Sequence, residues 1–175
     1  LIKELSSFPD QQIMILGQNK NVLIYLHKAI VDRNIASVGF YVGGMKTEAL
    51  KLSESKKVII ATYAMASEAL DIKSLTTLIL ATPRTDITQA VGRILRVKHK
   101  RPMVVDIVDT HSVFKNQWKK RRAFYKKFKY KTLYTNSNLY SGDKWETLYD
   151  PCKTAPSKKI CDTDNLKGKC LLTIK

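Results

Sequence analysis

The sequence predicts an α/β protein built on a doubly wound parallel sheet, and three observations carry that prediction. Short, nearly uninterrupted apolar runs recur along the first 110 residues. Helix-length segments with apolar residues at 3.6-residue spacing separate them. Connections of that length suit parallel neighbours, which need a crossover, whereas antiparallel neighbours need only a tight turn. Continuous apolar character is also what strands covered on both faces require.

Taken in order, Gln12-Ile13-Met14-Ile15-Leu16 predicts the first strand, ended by Gly17. Asn19 is placed to cap a helix running to about Asp32, with Val22, Leu23, Leu26, Ala29 and Ile30 on one face. Ile35 to Val42 predicts the second strand, closed by Gly43-Gly44. Met45 to Ser53 predicts a short helix opened by Thr47 or the glycine turn. Lys57 to Ala61 is the third strand, Leu75 to Ala81 the fourth and Met103 to Val108 the fifth. Met65–Leu70 and Asp86–Leu95 are the helical segments between them. In such sheets ligands gather at the carboxyl ends of the strands. The chemistry is therefore expected in the loops after Leu16, Val42, Ala61, Ala81 and Val108.

Residues 112–131 predict a basic helix. Between Lys115 and Lys131 stand nine Lys or Arg and no acid, with Trp118, Phe124, Tyr125, Phe128 and Tyr130 among them. Val113, Trp118, Tyr125 and Phe128 are expected to pack while the lysines stay in water. From Thr132 onward Asn, Ser, Asp, Gly and Pro dominate, predicting irregular structure with a small hairpin around Ser141-Gly142-Asp143. The division expected is a sheet domain over residues 10–131 and an irregular C-terminal extension over residues 132–175.

Composition narrows the function. The chain has 175 residues with 31 basic and 15 acidic side chains, a formal charge of +16. Residues 1–96 carry 12 basic and 8 acidic groups, net +4, and residues 97–175 carry 19 and 7, net +12. An excess confined to one half predicts a polyanionic partner, most simply nucleic acid; a solvated Lys-rich surface is the plainer alternative. A hydrophobic content of 44% excludes wholesale disorder. No apolar run approaches the roughly 18 residues of a membrane span. The opening at Leu1, without a Met or an apolar leader, is expected of a piece of a longer intracellular protein. Cys152, Cys161 and Cys170, without a C-x-x-C pair or a nearby His, predict free thiols and no metal site.

The most specific stretch is Gln89-Ala90-Val91-Gly92-Arg93-Ile94-Leu95-Arg96. On a helix Gln89, Arg93 and Arg96 fall at i, i+4 and i+7 and project from one face. Two arginines beside a glutamine suit the gripping of phosphates and the stabilisation of a transferring phosphoryl group. Gly92 leaves room for close approach. Surface arginines on an ordinary amphipathic helix are the alternative. Upstream, Thr62 stands at the carboxyl end of the third strand, where its hydroxyl can meet a phosphate. Glu68 and Asp71 follow, read either as functional carboxylates or as cap and solvent residues.

The two stretches resemble motifs V and VI of superfamily 2 helicases in order and separation. The motif VI pattern Gln-x-x-Gly-Arg-x-x-Arg is complete at Gln89, Gly92, Arg93 and Arg96. Motif V has Glu68-Ala69-Leu70-Asp71 where the family usually has Glu-Gly-Leu-Asp. Gln12–Leu16 with the following helix resembles motif IV, and Tyr41-Val42-Gly43-Gly44-Met45-Lys46 resembles the segment after it. The resemblance covers residues 10–130 and implies a RecA-like second helicase lobe of the XPB-like and UvsW-like branch. The Gly-Gly-Met-Lys segment and residues 106–125 resemble helicases of large cytoplasmic DNA viruses, including the poxvirus transcript-release helicase.

That resemblance implies an ATP-dependent helicase acting on DNA, with RNA or an RNA–DNA hybrid as the other substrates. It implies Gln89, Arg93 and Arg96 at the γ-phosphate and Glu68, Asp71 and Gly92 beside the nucleotide. Gly43, Gly44, Lys46, Thr62, Lys119 and Arg122 are implied at the nucleic-acid backbone. No G-x-x-x-x-G-K-[ST] phosphate loop and no DExH or DEAD acid pair occurs; Gly17-Gln18-Asn19-Lys20-Asn21 is a partial imitation. ATP and Mg²⁺ are thus expected to be held mainly by an N-terminal lobe of the same chain. A host-cytoplasmic or virion location follows if the source is viral. Two other readings fit the same residues: a non-catalytic basic nucleic-acid-binding module, and an unrelated nucleotide-binding α/β protein. The latter is disfavoured by the absence of a glycine-rich turn after the first strand.

Overall fold

The computed structural model describes residues 1–68, 72–82, 84–94, 97, 99, 102–109, 111–136, 145–153 and 170–174. In chain order these form α1 (Ile2–Ser6), β1 (Ile13–Gly17), α2 (Lys20–Asp32), β2 (Val38–Tyr41), α3 (Thr47–Glu54), β3 (Val58–Thr62) and α4 (Tyr63–Glu68). There follow β4 (Thr77–Leu80), α5 (Thr88–Ile94), β5 (Met103–Ile107), α6 (Ser112–Lys127), β6 (Lys131–Thr135), β7 (Glu146–Tyr149) and β8 (Cys170–Ile174). All five predicted strands are present and lie parallel, in the order β2-β3-β1-β4-β5.

Strand alternation sends two sets of side chains to opposite faces. Met14, Leu16, Ile59, Ala61, Leu78, Leu80 and Val104 pack with Tyr63, Ala66, Ala90, Val91, Trp118 and Tyr125 of α4, α5 and α6. On the other face Ile13, Ile15, Val58, Ile60, Ile79 and Val105 pack with Leu5 of α1 and with Leu23 and Ile30 of α2. Each such aliphatic side chain contributes about 1.5–3 kcal/mol by leaving water. Asn19 caps α2 as expected, its side-chain oxygen accepting from the Asn21 N–H at 2.9 Å. One close approach sets the spacing of β2 and α3: a β-carbon on Gly39 would stand 2.8 Å from Ser53 Oγ and 3.0 Å from Ser53 Cα.

At the amino edge of the sheet the backbone is tied by glutamines. Gln11 Oε1 accepts from the hydroxyls of Thr76 and Thr77. Gln12 Nε2 donates to the carbonyls of Glu54 at 2.7 Å and Lys56 at 2.8 Å. This knot fixes the ends of the strands opposite to where ligands are expected.

Two expectations are corrected. The irregular structure predicted beyond Thr132 gives way to β6, β7 and β8, which extend the sheet to eight strands in the order β5-β8-β6-β7 past the first four. β8 pairs in parallel with both β5 and β6, and β6 with β7 antiparallel. Their partners stand 12 to 67 positions away in the chain, and the Asn-, Ser-, Asp- and Gly-rich sequence between them has no helical spacing to announce a crossover. The predicted hairpin tip, Ser141-Gly142-Asp143, lies outside the described residues.

The second correction concerns α6. Trp118 and Tyr125 are buried as expected, but Val113 and Phe128 are 53% and 48% exposed. The position between the two buried aromatics is filled by Arg121, which is 1% exposed. Trp118, Arg121 and Tyr125 fall at i, i+3 and i+7 and define the inward stripe. Val113 and Phe128 lie off it.

Candidate nucleotide and nucleic-acid site

The parallel register brings the carboxyl ends of β1, β3, β4 and β5 to one edge, with Gly17 opposite Thr62. Thr82 and Arg84–Asp86 stand between the carboxyl end of β4 and α5. They are held at several points. The Gln18 N–H donates to Thr82 Oγ1 at 2.9 Å, and the Tyr63 hydroxyl donates to the Thr82 carbonyl at 2.7 Å. The Arg84 guanidinium lies 5.1 Å over the Tyr63 ring. Asp86 Oδ1 accepts from the Thr88 N–H at 2.9 Å, which starts the helix, and this bond holds the Asp86 carboxyl below its ordinary range.

Within α5, Ala90 and Val91, with Ile87 just before it, are buried against α4 and the sheet, while Gln89 and Gly92 are exposed. No described atom comes within 4 Å of a β-carbon built on Gly92. Arg93 follows in the same helix. Arg96 and Asp71 lie outside the described residues, and Glu68 closes α4. The structure therefore brings Gln89, Gly92 and the Arg93 backbone together on one short helix.

Thr62 ends β3 and accepts weakly from the Met65 N–H at 3.5 Å, opening α4. Gly43 and Gly44 form an exposed turn after β2, Gly44 at φ +86°, and Lys46 stands exposed before α3. Lys119 and Arg122 are exposed on α6.

The group that sequence reasoning missed lies beneath this edge. Asp106 of β5 is fully buried and accepts from Arg121 Nε at 2.8 Å and Nη2 at 2.9 Å, and from the Tyr125 hydroxyl at 3.0 Å. The third arm of the same guanidinium, Nη1, donates to the Arg84 carbonyl at 2.8 Å. Burial pushes the Asp106 carboxyl above its usual range, opposed by its bonds to Arg121 and Tyr125. Burial also raises Tyr125 and Tyr63 above the ordinary phenol range, keeping both hydroxyls protonated as donors. A signal was available: an Asp inside the apolar run Met103–Val108 needs a cation, and the facing helix is full of them.

Among the described residues no three carboxylate, imidazole or thiol groups gather to hold a metal. No described helix is long and apolar enough to cross a membrane.

Comparison with known proteins agrees with the motif reading. No protein-family model matches the chain. A protein of Acanthamoeba polyphaga mimivirus, named as a candidate ATP-dependent RNA helicase, is 42% identical over 134 residues, covering 74% of this chain and 26% of its own length. An African swine fever virus protein of the same description is 31% identical over 135 residues, covering 70% of this chain and 26% of its own. Among solved structures, the C-terminal part of the Fun30 ATPase domain superposes with a TM-score of 0.58 at 13% identity, over 67% of this chain and 41% of that one. The C-terminal domain of S. cerevisiae Dbp5, solved with Gle1 and IP6, gives a TM-score of 0.51 at 17% identity, over 73% of this chain and 75% of that one. These two show the fold alone.

Strand order and these likenesses together define the class: the chain is a RecA-like lobe similar to helicase C-terminal domains. Its relatives by sequence are the viral helicase-like proteins of mimivirus and African swine fever virus, and it spans 26% of the length of each.

Proposed function

We propose that this chain is the C-terminal motor lobe of an ATP-dependent helicase or translocase. ATP closes it against an N-terminal lobe of the same protein, and hydrolysis releases it. The observation that carries this reading is the facing of α5. Its apolar side is buried while Gln89 and Gly92 are exposed, on the helix that follows the carboxyl end of β4. In this reading Gln89 orients the attacking water and Arg93 and Arg96 meet charge developing on the γ-phosphate. Glu68, Asp71 and Gly92 flank the nucleotide. Mg²⁺ accompanying ATP is assigned mainly to the N-terminal lobe.

Gly43, Gly44, Lys46, Thr62, Lys119 and Arg122 are assigned to the nucleic-acid backbone. DNA is our reading of the substrate, with a role in transcription. The names of the viral relatives favour RNA as a second reading. Residues 10–131 then form the motor unit and 132–175 an accessory to it, in an intracellular setting.

The test is ATP turnover by the full-length protein with Arg93→Ala or Arg96→Ala. A loss of about 10³–10⁵ in rate is expected with an unchanged melting temperature, because an arginine finger acts on the transition state. Near-normal turnover in a folded variant would overturn the assignment. Unwinding of matched DNA, RNA and hybrid duplexes decides the substrate.

A further inference from the structure

We propose that Arg121 is a positioning residue for the nucleotide site, holding α5 at its working place through the Arg84 carbonyl. This rests on the reading of α5 as the arginine-bearing helix. The chain enters α5 through Arg84–Asp86, so where Arg84 sits constrains the start of α5. Arg121 joins that segment to the sheet. Two arms of its guanidinium, Nε and Nη2, are fixed on Asp106 of β5, and Nη1 reaches the Arg84 carbonyl at 2.8 Å.

The guanidinium is planar and rigid, so fixing one edge on Asp106 fixes the direction of the remaining arm. The Arg84 carbonyl is thereby referenced to a strand inside the sheet. Packing reinforces this: the Trp118 ring lies 6.0 Å from the Arg121 guanidinium carbon, and the Tyr125 hydroxyl holds Asp106 from the other side. The same segment also receives the Tyr63 hydroxyl, from the residue next to Thr62. A single loop thus takes its position both from the corner assigned to nucleic acid and from the buried arginine, and passes it to α5.

Stability alone does not explain an ion pair here. A buried pair is often matched or bettered by apolar side chains of similar volume, because removing two charges from water costs as much as their attraction returns. What apolar side chains cannot supply is a directed bond to the Arg84 carbonyl.

The experiment compares the full-length protein with the double variant Asp106→Leu/Arg121→Met and with Arg121→Lys. Turnover number, KM for ATP, nucleic-acid affinity without nucleotide and melting temperature are read for each. Both variants should lose turnover by about ten- to a hundred-fold, as misplacement of a reacting group does. KM and nucleic-acid affinity should hold; the double variant leaves the Tyr125 hydroxyl and the Arg84 carbonyl without these partners, so it should melt lower and is assayed below its melting temperature. Arg121→Lys keeps a charge for Asp106 but cannot serve both partners, so it should not rescue. Turnover within about two-fold of wild type in the folded double variant overturns the proposal. If the double variant does not fold, Arg121→Lys assayed below its melting temperature decides by the same criterion. Arg93→Ala, assayed alongside, separates the two claims. Full turnover there removes the reading of α5 itself. Lost turnover there, with an active double variant, removes only the role of Arg121.

Discussion

Arg121 and Asp106 form a two-bond fork inside the fold, Nε to Oδ2 at 2.8 Å and Nη2 to Oδ1 at 2.9 Å, with both side chains 1% exposed. The next residue, Arg122, is chemically identical and lies in solvent. One step along a helix turns the side chain by 100°, and that rotation separates a structural cation from a surface one.

Arg121→Ala should therefore destabilise the chain by about 3–5 kcal/mol, since it leaves the Asp106 carboxylate buried without its partner. Arg122→Ala should change stability by no more than about 0.5 kcal/mol. Urea unfolding of the two variants checks the contrast. Equal midpoints would contradict the buried fork.

Lys119 and Arg122 should make the opposite pair of observations in binding. Changing either to Gln should weaken nucleic-acid affinity alike for every sequence and lower the log–log salt slope by about 0.9 on duplex DNA, or about 0.7 on single strands. Fluorescence anisotropy across a salt series measures this. An unchanged slope for both would move the backbone path away from α6.

Gly92→Ala should separate stability from function. Glycine inside a helix costs roughly 0.5–1 kcal/mol relative to alanine, and no described atom obstructs the added methyl. The variant should melt higher. Because Gly92 shares its face with Gln89, the methyl should also lower ATP turnover in the full-length protein. A variant that gains stability and keeps full turnover would place the nucleotide elsewhere.

Gly39→Ala should cost about 1–3 kcal/mol, as overpacking does. Its β-carbon would meet Ser53 Oγ and the Ser53 backbone of α3 at once. Thermal melts of Gly39→Ala with and without Ser53→Gly test the pair. The second change should recover part of the loss, and no recovery would rule out the steric cause.

Periodicity alone determined the parallel core. Ile13–Leu16, Val58–Ala61 and Thr77–Leu80 are short apolar runs spaced by helical segments, and local spacing is enough to demand that arrangement. The Asn19 cap was equally legible, because a cap acts over three or four residues, whereas α3 starts at Thr47, two residues inside the expected Met45, with Lys46 at its cap position. The spacing of Gln89, Gly92 and Arg93 is itself helical, and α5 carries all three. Only the tertiary structure decided which cation of α6 turns inward, because Arg121 owes its burial to Asp106, 15 positions earlier, and to the Arg84 carbonyl, 37 positions earlier. β8 was hidden for the same reason. Its hydrogen-bond partners are the open edges of β5 and β6, and Cys170–Ile174, though apolar, follows a Lys- and Asp-rich stretch without the helical spacing that announces the other parallel strands.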